Sequence, residues 1–226
     1  MTRSNPKRLH SFQHMQQSNL LSMVLSHFST KPLAPSYAEY LMLNKALVSG
    51  DTQMDAVVAW VMQNPKHNRK RFEQALYQGL SALSSPEPEL VCFFEYIENR
   101  PLWVDEQRLN HAVEFTHRLG INNGFVLRDL SLMAGYLYPG FNQPLMMTGA
   151  LNKQAGTRLA ETTKWWMDIT EPNALRRFHA GFTSTLYVRF IHSLVRYHLK
   201  HKQEWDSETW GLPINQFDLE IGRAHV

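Results

Sequence analysis

The stretch Leu186–Leu199, LYVRFIHSLVRYHL, constrains this chain more than any other. Read at helical spacing, Val188, Ile191, Val195 and Leu199 line one apolar stripe, with Leu186, Phe190 and Leu194 beside it. A helix that is apolar nearly all round belongs inside a protein. Yet Arg189, His192 and Arg196 stand at i, i+3 and i+7 and project from one face of it. A guanidinium that loses its water without gaining an anion is strongly destabilising even after relaxation, so this helix must meet negative charge.

Two sources of that charge are open. Carboxylates of the chain itself, such as Glu161, Asp168 or Asp218, can serve the arginines and leave His192 an ordinary buried histidine. Alternatively, a cofactor offers a metal to the imidazole and carboxylates to the guanidiniums. Haem, a flat apolar disc with an iron that takes axial ligands and two propionates, fits that description.

A chain of 226 residues suffices for one good core, and a single domain is expected. The balance of 23 Lys+Arg against 20 Asp+Glu is too slight an excess to argue for nucleic acid or an anionic membrane. The cluster Lys66, Arg69, Lys70 and Arg71 has no aromatic platform beside it and reads as a solvated helix face, so no nucleic-acid partner is expected. Cys92, the sole cysteine, excludes a disulfide framework and a cysteine zinc site and suits a reducing compartment. No apolar h-region follows the basic N-terminus, and no run of about twenty apolar residues occurs. The expectation is a soluble, cytoplasmic protein without an integral membrane segment.

Along the chain, residues 1–36 are polar at first and then carry Leu20, Leu21, Val24, Leu25 and Phe28 at helical spacing, one docking helix. Ser36 and Glu39 make a capping box for the next helix, and Asp51 caps another that Pro65 stops. A helix from Arg69 to Leu83 precedes SSPEPE, where Pro86 suits a first turn and Glu87 and Glu89 favour the dipole. Asp105 caps Glu106–Arg118, in which Glu114 and His117 form a lone E-x-x-H, half of what a di-iron bundle needs. Asn123 to Ala134 reads as helix, and Tyr138-Pro139-Gly140 with Pro144 reads as a loop. With no hairpin dipeptide or alternating strand, the fold class is all-α, one helical domain over residues 37–219.

The region after Thr148 is the most specific. RLAET puts Arg158 and Thr162 one turn apart on a helix that continues into Trp165 and Trp166. Thirty-odd residues on comes YVRFIHSLVRYHL, and then WGLPINQFDL. Together these runs resemble the family that unites latex-clearing protein, the bacterial rubber oxygenase, with the fungal MpaB-type oxygenase. Fainter echoes lie in GDTQMDAVV, PLWVD and PLMMTG, so the resemblance covers about Gly50 to Leu219. It implies a helical bundle with a globin-like core around a haem b, whose iron takes His192 as axial ligand. It places Arg158 and Thr162 near the haem and Arg189 and Arg196 in the frame around it.

One departure matters. The residue before the motif threonine is a lysine in rubber oxygenases and is Glu161 here, which cannot act as a neutral amine ligand. Polyisoprene does not carry over as substrate. The expected function is a haem-dependent oxygenase that activates dioxygen to oxidise or cleave an apolar, prenyl- or lipid-like molecule. In it Arg158 and Thr162 donate to developing negative charge, and Glu161 either accepts a proton or pairs with an arginine. Arg189 and Arg196 are candidates for the propionates, with an internal carboxylate equally open for one of them. A non-catalytic haem sensor and a metal-free helical interaction module are the alternatives. His198 and His201 read as part of a basic helix end, and Asn215 or Asp218 as the cap of a further helix. The last seven residues, EIGRAHV, read as translated adapter sequence, so residues 220–226 are expected to be an artefact and the domain incomplete at its C-terminus.

Overall fold

A computed structural model of the chain describes residues 5–17, 34–127, 129, 138–149, 155–202 and 205–219. The expected docking helix around Leu20–Phe28 and the terminal 220–226 lie outside them. The described residues are helical and contain no strand, which makes the chain all-α. The helices in order are α1 (Phe12–Met15), α2 (Tyr37–Leu47), α3 (Thr52–Val61), α4 (Pro65–Gln78), α5 (Pro88–Glu98), α6 (Glu106–Arg118), α7 (Ile121–Val126), α8 (Pro139–Met147), α9 (Ala155–Ile169), α10 (Ala180–Lys202) and α11 (Ser207–Trp210). A 3₁₀ turn at Leu80–Ala82 follows α4.

Local chemistry sets most of these boundaries. The Ser36 hydroxyl accepts from Glu39 N–H while the Glu39 carboxylate accepts from Ser36 N–H, the reciprocal pair that starts α2. Asp51 accepts from Met54 N–H to start α3, and Asp105 accepts from Gln107 and Arg108 N–H to start α6. Pro65 does stop α3, but as the first residue of α4, where its missing N–H is no loss. The same logic moves the start of α5 from Pro86 to Pro88.

The helix expected from Arg69 to Leu83 starts at Pro65 and ends at Gln78, where Gly79 takes a φ of 90°, and the loop expected at Tyr138–Pro144 is overturned. Tyr138 to Pro144 is the cap and first two turns of α8, with Pro139 at its first position and Pro144 inside. Pro139 has the φ that a helix start needs, and Pro144 gives up a single i to i−4 bond. Gly140, whose carbonyl lies one turn before Pro144, packs so closely on Arg8 that a Cβ there would fall 1.5 Å from Arg8 Nη1.

The core sits between α3, α4, α5 and α10. Met54, Val57, Val58 and Val61 of α3 meet Phe72 and Leu76 of α4, Leu90, Phe93 and Phe94 of α5, and Leu186 and Phe190 of α10. Phe72 and Phe190 stack with centroids 4.6 Å apart. Burying these rings and aliphatic chains supplies the drive for folding, at about 1.5–3 kcal/mol per fully buried large side chain. Arg177, in the turn between α9 and α10, donates to the Ala75 and Leu76 carbonyls and so caps the end of α4.

Candidate functional site

The face of α10 that carries both arginines lies against the start of α3. Arg189 Nε and Nη2 donate to Asp51 Oδ2 and Oδ1 at 2.7 and 2.9 Å, a bidentate pair made with the very side chain that caps α3. Seven residues on, Arg196 is 2% exposed. Its Nη1 donates to Asp55 Oδ1 and Ser193 Oγ, its Nε to Pro213 O at 3.1 Å, and its Nη2 to Ile214 O at 2.6 Å. The required anions are thus Asp51 and Asp55. Of the carboxylates first considered, Glu161 is exposed, Asp168 pairs with Lys164, and Asp218 pairs with Arg8.

Nothing local to either arginine names these partners, which lie 138 and 141 residues away. The available signal was a pair of carboxylates one turn apart at the entrance of an otherwise apolar helix, within the GDTQMD echo.

The PINQFD run completes this frame. Asn215 Oδ1 accepts from Asp218 N–H, capping the helical turn 216–219 as the sequence implied. Leu212 N–H donates to Leu47 O and Gln216 N–H to Ser49 O, which fasten the run to the α2–α3 junction. Ile214 holds φ at +48°, a conformation costly for a β-branched residue, and its carbonyl is the one Arg196 takes. Arg8 makes two 2.9 Å hydrogen bonds to Asp218 and ties the N-terminal segment to the same place.

Burial works against ionisation of Asp51, but the hydrogen bonds and charge of Arg189 outweigh it and hold the carboxyl below its ordinary value. A carboxylate whose pKa is lower folded than unfolded stabilises the fold above its unfolded value, and that contribution is lost as pH falls through the folded value. Acidifying from about pH 5 to pH 2 should therefore remove stability from the wild type and remove less from Asp51→Asn. Urea unfolding across that range measures the difference; equal slopes would show that the pair does not couple to folding.

His192 projects from the neighbouring stripe of α10, half-buried, one helical repeat of seven after Thr185. Trp165 Nε1 of α9 donates to Thr185 Oγ1 at 3.1 Å. Gly181 of α10 packs on the Asp168 carbonyl, so α9 and α10 run antiparallel. In that register, stepping seven residues back from Trp165 and seven forward from Thr185 covers about 10 Å on each helix. It brings the backbone of Arg158 level with that of His192. Thr162 lies one turn from Arg158 and, like Glu161, is exposed; the Arg158 side chain is outside the described set.

The R-x-x-x-T and R-x-x-H-x-x-x-R segments thus lie on the two arms of one antiparallel helical hairpin, whose α9 arm is exposed at each described side chain from Gly156 to Lys164. The Arg189 and Arg196 guanidiniums reach instead into the ionic frame with α3.

The remaining candidates stay apart. Glu114 and His117 are exposed on α6, and His198 and His201 each use Nδ1 on a carbonyl one turn back, those of Leu194 and Tyr197. Among the described residues no group of three or more His, Cys, Asp and Glu could hold a bare metal ion. No helix among them is long and apolar enough to cross a membrane.

No family model matches the chain, and no solved structure matches it. The rubber oxygenase of Streptomyces sp. (strain K30) is 25% identical over 155 residues, which are 67% of this chain and 36% of that protein. The chain thus spans about a third of the length of this relative, and the likeness amounts to a distant relationship to a rubber oxygenase.

Proposed function

We propose that this chain is the histidine-bearing part of a haem-dependent oxygenase that acts on an apolar, prenyl- or lipid-like substrate. The observation that supports this reading is that α9, which carries Arg158 and Thr162, and α10, which carries His192, form one antiparallel hairpin. The distant rubber oxygenase relative supports it.

The donor chemistry fits in part. A porphyrin brings four ligands to its iron and asks the protein for one or two side chains, a demand that the single imidazole of His192 meets. The propionate role is less well served. Arg196 is enclosed by Asp55, Ser193 and two carbonyls, while Arg189, 29% exposed, is the guanidinium with solvent access. In this reading Arg196 positions α10, and Arg189 alone remains able to share a donor with a cofactor carboxylate.

Bound haem would supply an iron centre able to activate dioxygen. The Arg158 guanidinium and Thr162 hydroxyl would donate hydrogen bonds to negative charge developing beside it. Glu161, exposed on the same helix, would accept a proton. As a carboxylate it would not take the place of the neutral lysine amine of rubber oxygenases. The exposed Cys92 suits the reducing cytoplasm.

A metal-free helical module is the reading that the internal Asp51–Arg189 and Asp55–Arg196 pairs favour. Titrating haem into the purified protein separates the two. The oxygenase reading expects a Soret band shifted from that of free haem in the wild type and lost or moved in His192→Ala. No band, or a band indifferent to His192, overturns it. Oxygen uptake with prenyl alcohols or unsaturated lipids then distinguishes an oxygenase from a haem sensor.

A further inference from the structure

A cavity of about 290 Å³ lies at the far end of α9, bounded by α6, α7 and the turn 170–176. Its described lining includes none of Glu161, Thr162 or His192. Leu109 and Val113 of α6, Val126 of α7, and Trp166 and Ile169 of α9 give it apolar walls. The turn is held in place by Asn173, whose φ of 59° is left-handed. Its N–H donates to Asn110 Oδ1 at 3.0 Å, and Asn110 Nδ2 donates back to Asn173 Oδ1 at 3.2 Å. Asn is among the few residues that take this conformation readily, so the wall is built rather than incidental.

The other end of the cavity is ionic. Arg176, from the turn, donates through Nε and Nη2 to both oxygens of Glu106, and Arg100 donates through Nη1 to Glu106 Oε1. Two guanidiniums thus share one carboxylate, with a net positive charge among the three. Their hold on it draws the Glu106 carboxyl down to about 2. Glu171 also lines the cavity, but neither guanidinium pairs with it among the described contacts. All three side chains of the cluster are more than a third exposed, so it can rearrange around an incoming anion at little cost.

We infer that this cavity binds a small apolar molecule that carries one carboxylate. The tail lies against Trp166, Leu109, Val113 and Ile169, and the head joins Glu106 between Arg100 and Arg176. A space of about 290 Å³, at the small end for ligand pockets, suits a medium-chain fatty acid such as octanoate. The assignment stands whether or not His192 holds a haem, because the two sites share none of the described lining residues.

Isothermal titration of the purified protein with octanoate, and with octanol as the uncharged chain of equal length, tests it. Octanoate is expected to bind at one molecule per chain and octanol about tenfold more weakly, the worth of a charge-assisted contact. Glu106→Gln removes the competing anion and should tighten octanoate several-fold while leaving octanol unchanged. Arg100→Gln should weaken octanoate about tenfold, again without moving octanol. Arg176→Gln should do the same, and if it fails to fold, the Arg100 and Glu106 variants decide. No saturable octanoate binding, equal affinity for octanol, or a Glu106→Gln variant that binds octanoate less well would each overturn the assignment.

Discussion

Replacing Asp55 by alanine should cost about 3 kcal/mol of unfolding free energy, the lower end of the range for removing one partner of a buried ion pair. Arg196 is 2% exposed and cannot turn to water for its lost partner. It keeps the Pro213 and Ile214 carbonyls and the Ser193 hydroxyl, which is why the lower end applies. For a chain of this length the melting temperature should fall by about 6–12 °C. The Asp55→Ala/Arg196→Met double variant should recover much of the loss, because it no longer strands a charge. Chemical denaturation of the three variants measures this. A loss below about 1 kcal/mol for Asp55→Ala would mean that solvent reaching Asp55, whose side chain is 35% exposed, already screens the pair.

Gly211→Ala is expected to cost as much by another route. Gly211 has φ +75° and ψ −146°, close to a region that only glycine occupies comfortably, and a Cβ there would lie 2.4 Å from the Leu47 carbonyl oxygen. That oxygen accepts the Leu212 N–H that docks the PINQFD run on the α2–α3 junction. Strain of ~1–3 kcal/mol adds to the lost docking bond, for a total of about 3 kcal/mol. Gly120→Ala is the control: its φ is also positive, at +53°, but a Cβ there meets nothing within 4 Å among the described residues. It should show the strain alone. Equal melting temperatures for the two variants would show that the close approach at Gly211 carries no weight.

Local signals were legible in the sequence. The Ser36–Glu39 box, the Asp51 and Asp105 caps and the span Glu106–Arg118 each depend on residues within one turn of one another, and each is found where the sequence put it, while the choice left open between Asn215 and Asp218 falls to Asn215. The demand for anions beside Arg189 and Arg196 was legible too, because it follows from burying charge on an apolar helix. Their identity was not, since Asp51 and Asp55 reach the arginines through the packing of α3 on α10 and leave no local trace. The α8 prolines misled for a related reason. Their usual effect is to break a helix, but Pro139 sits where the helix begins, and contact with Arg8 and the chain around it favours the helical path.

The clasp between distant parts of the chain has a consequence for biosynthesis. Asp51 and Asp55 leave the ribosome some 140 residues before their arginines, and the two helices flanking Gly50 gain their anchor to Leu212 and Gln216 only later still. Contacts so distant along the chain close late. Until then the apolar side of α3 has no α10 to cover it, and the nascent N-terminal half is the stage at which a holdase chaperone or a coexpressed C-terminal fragment should most improve recovery of folded protein.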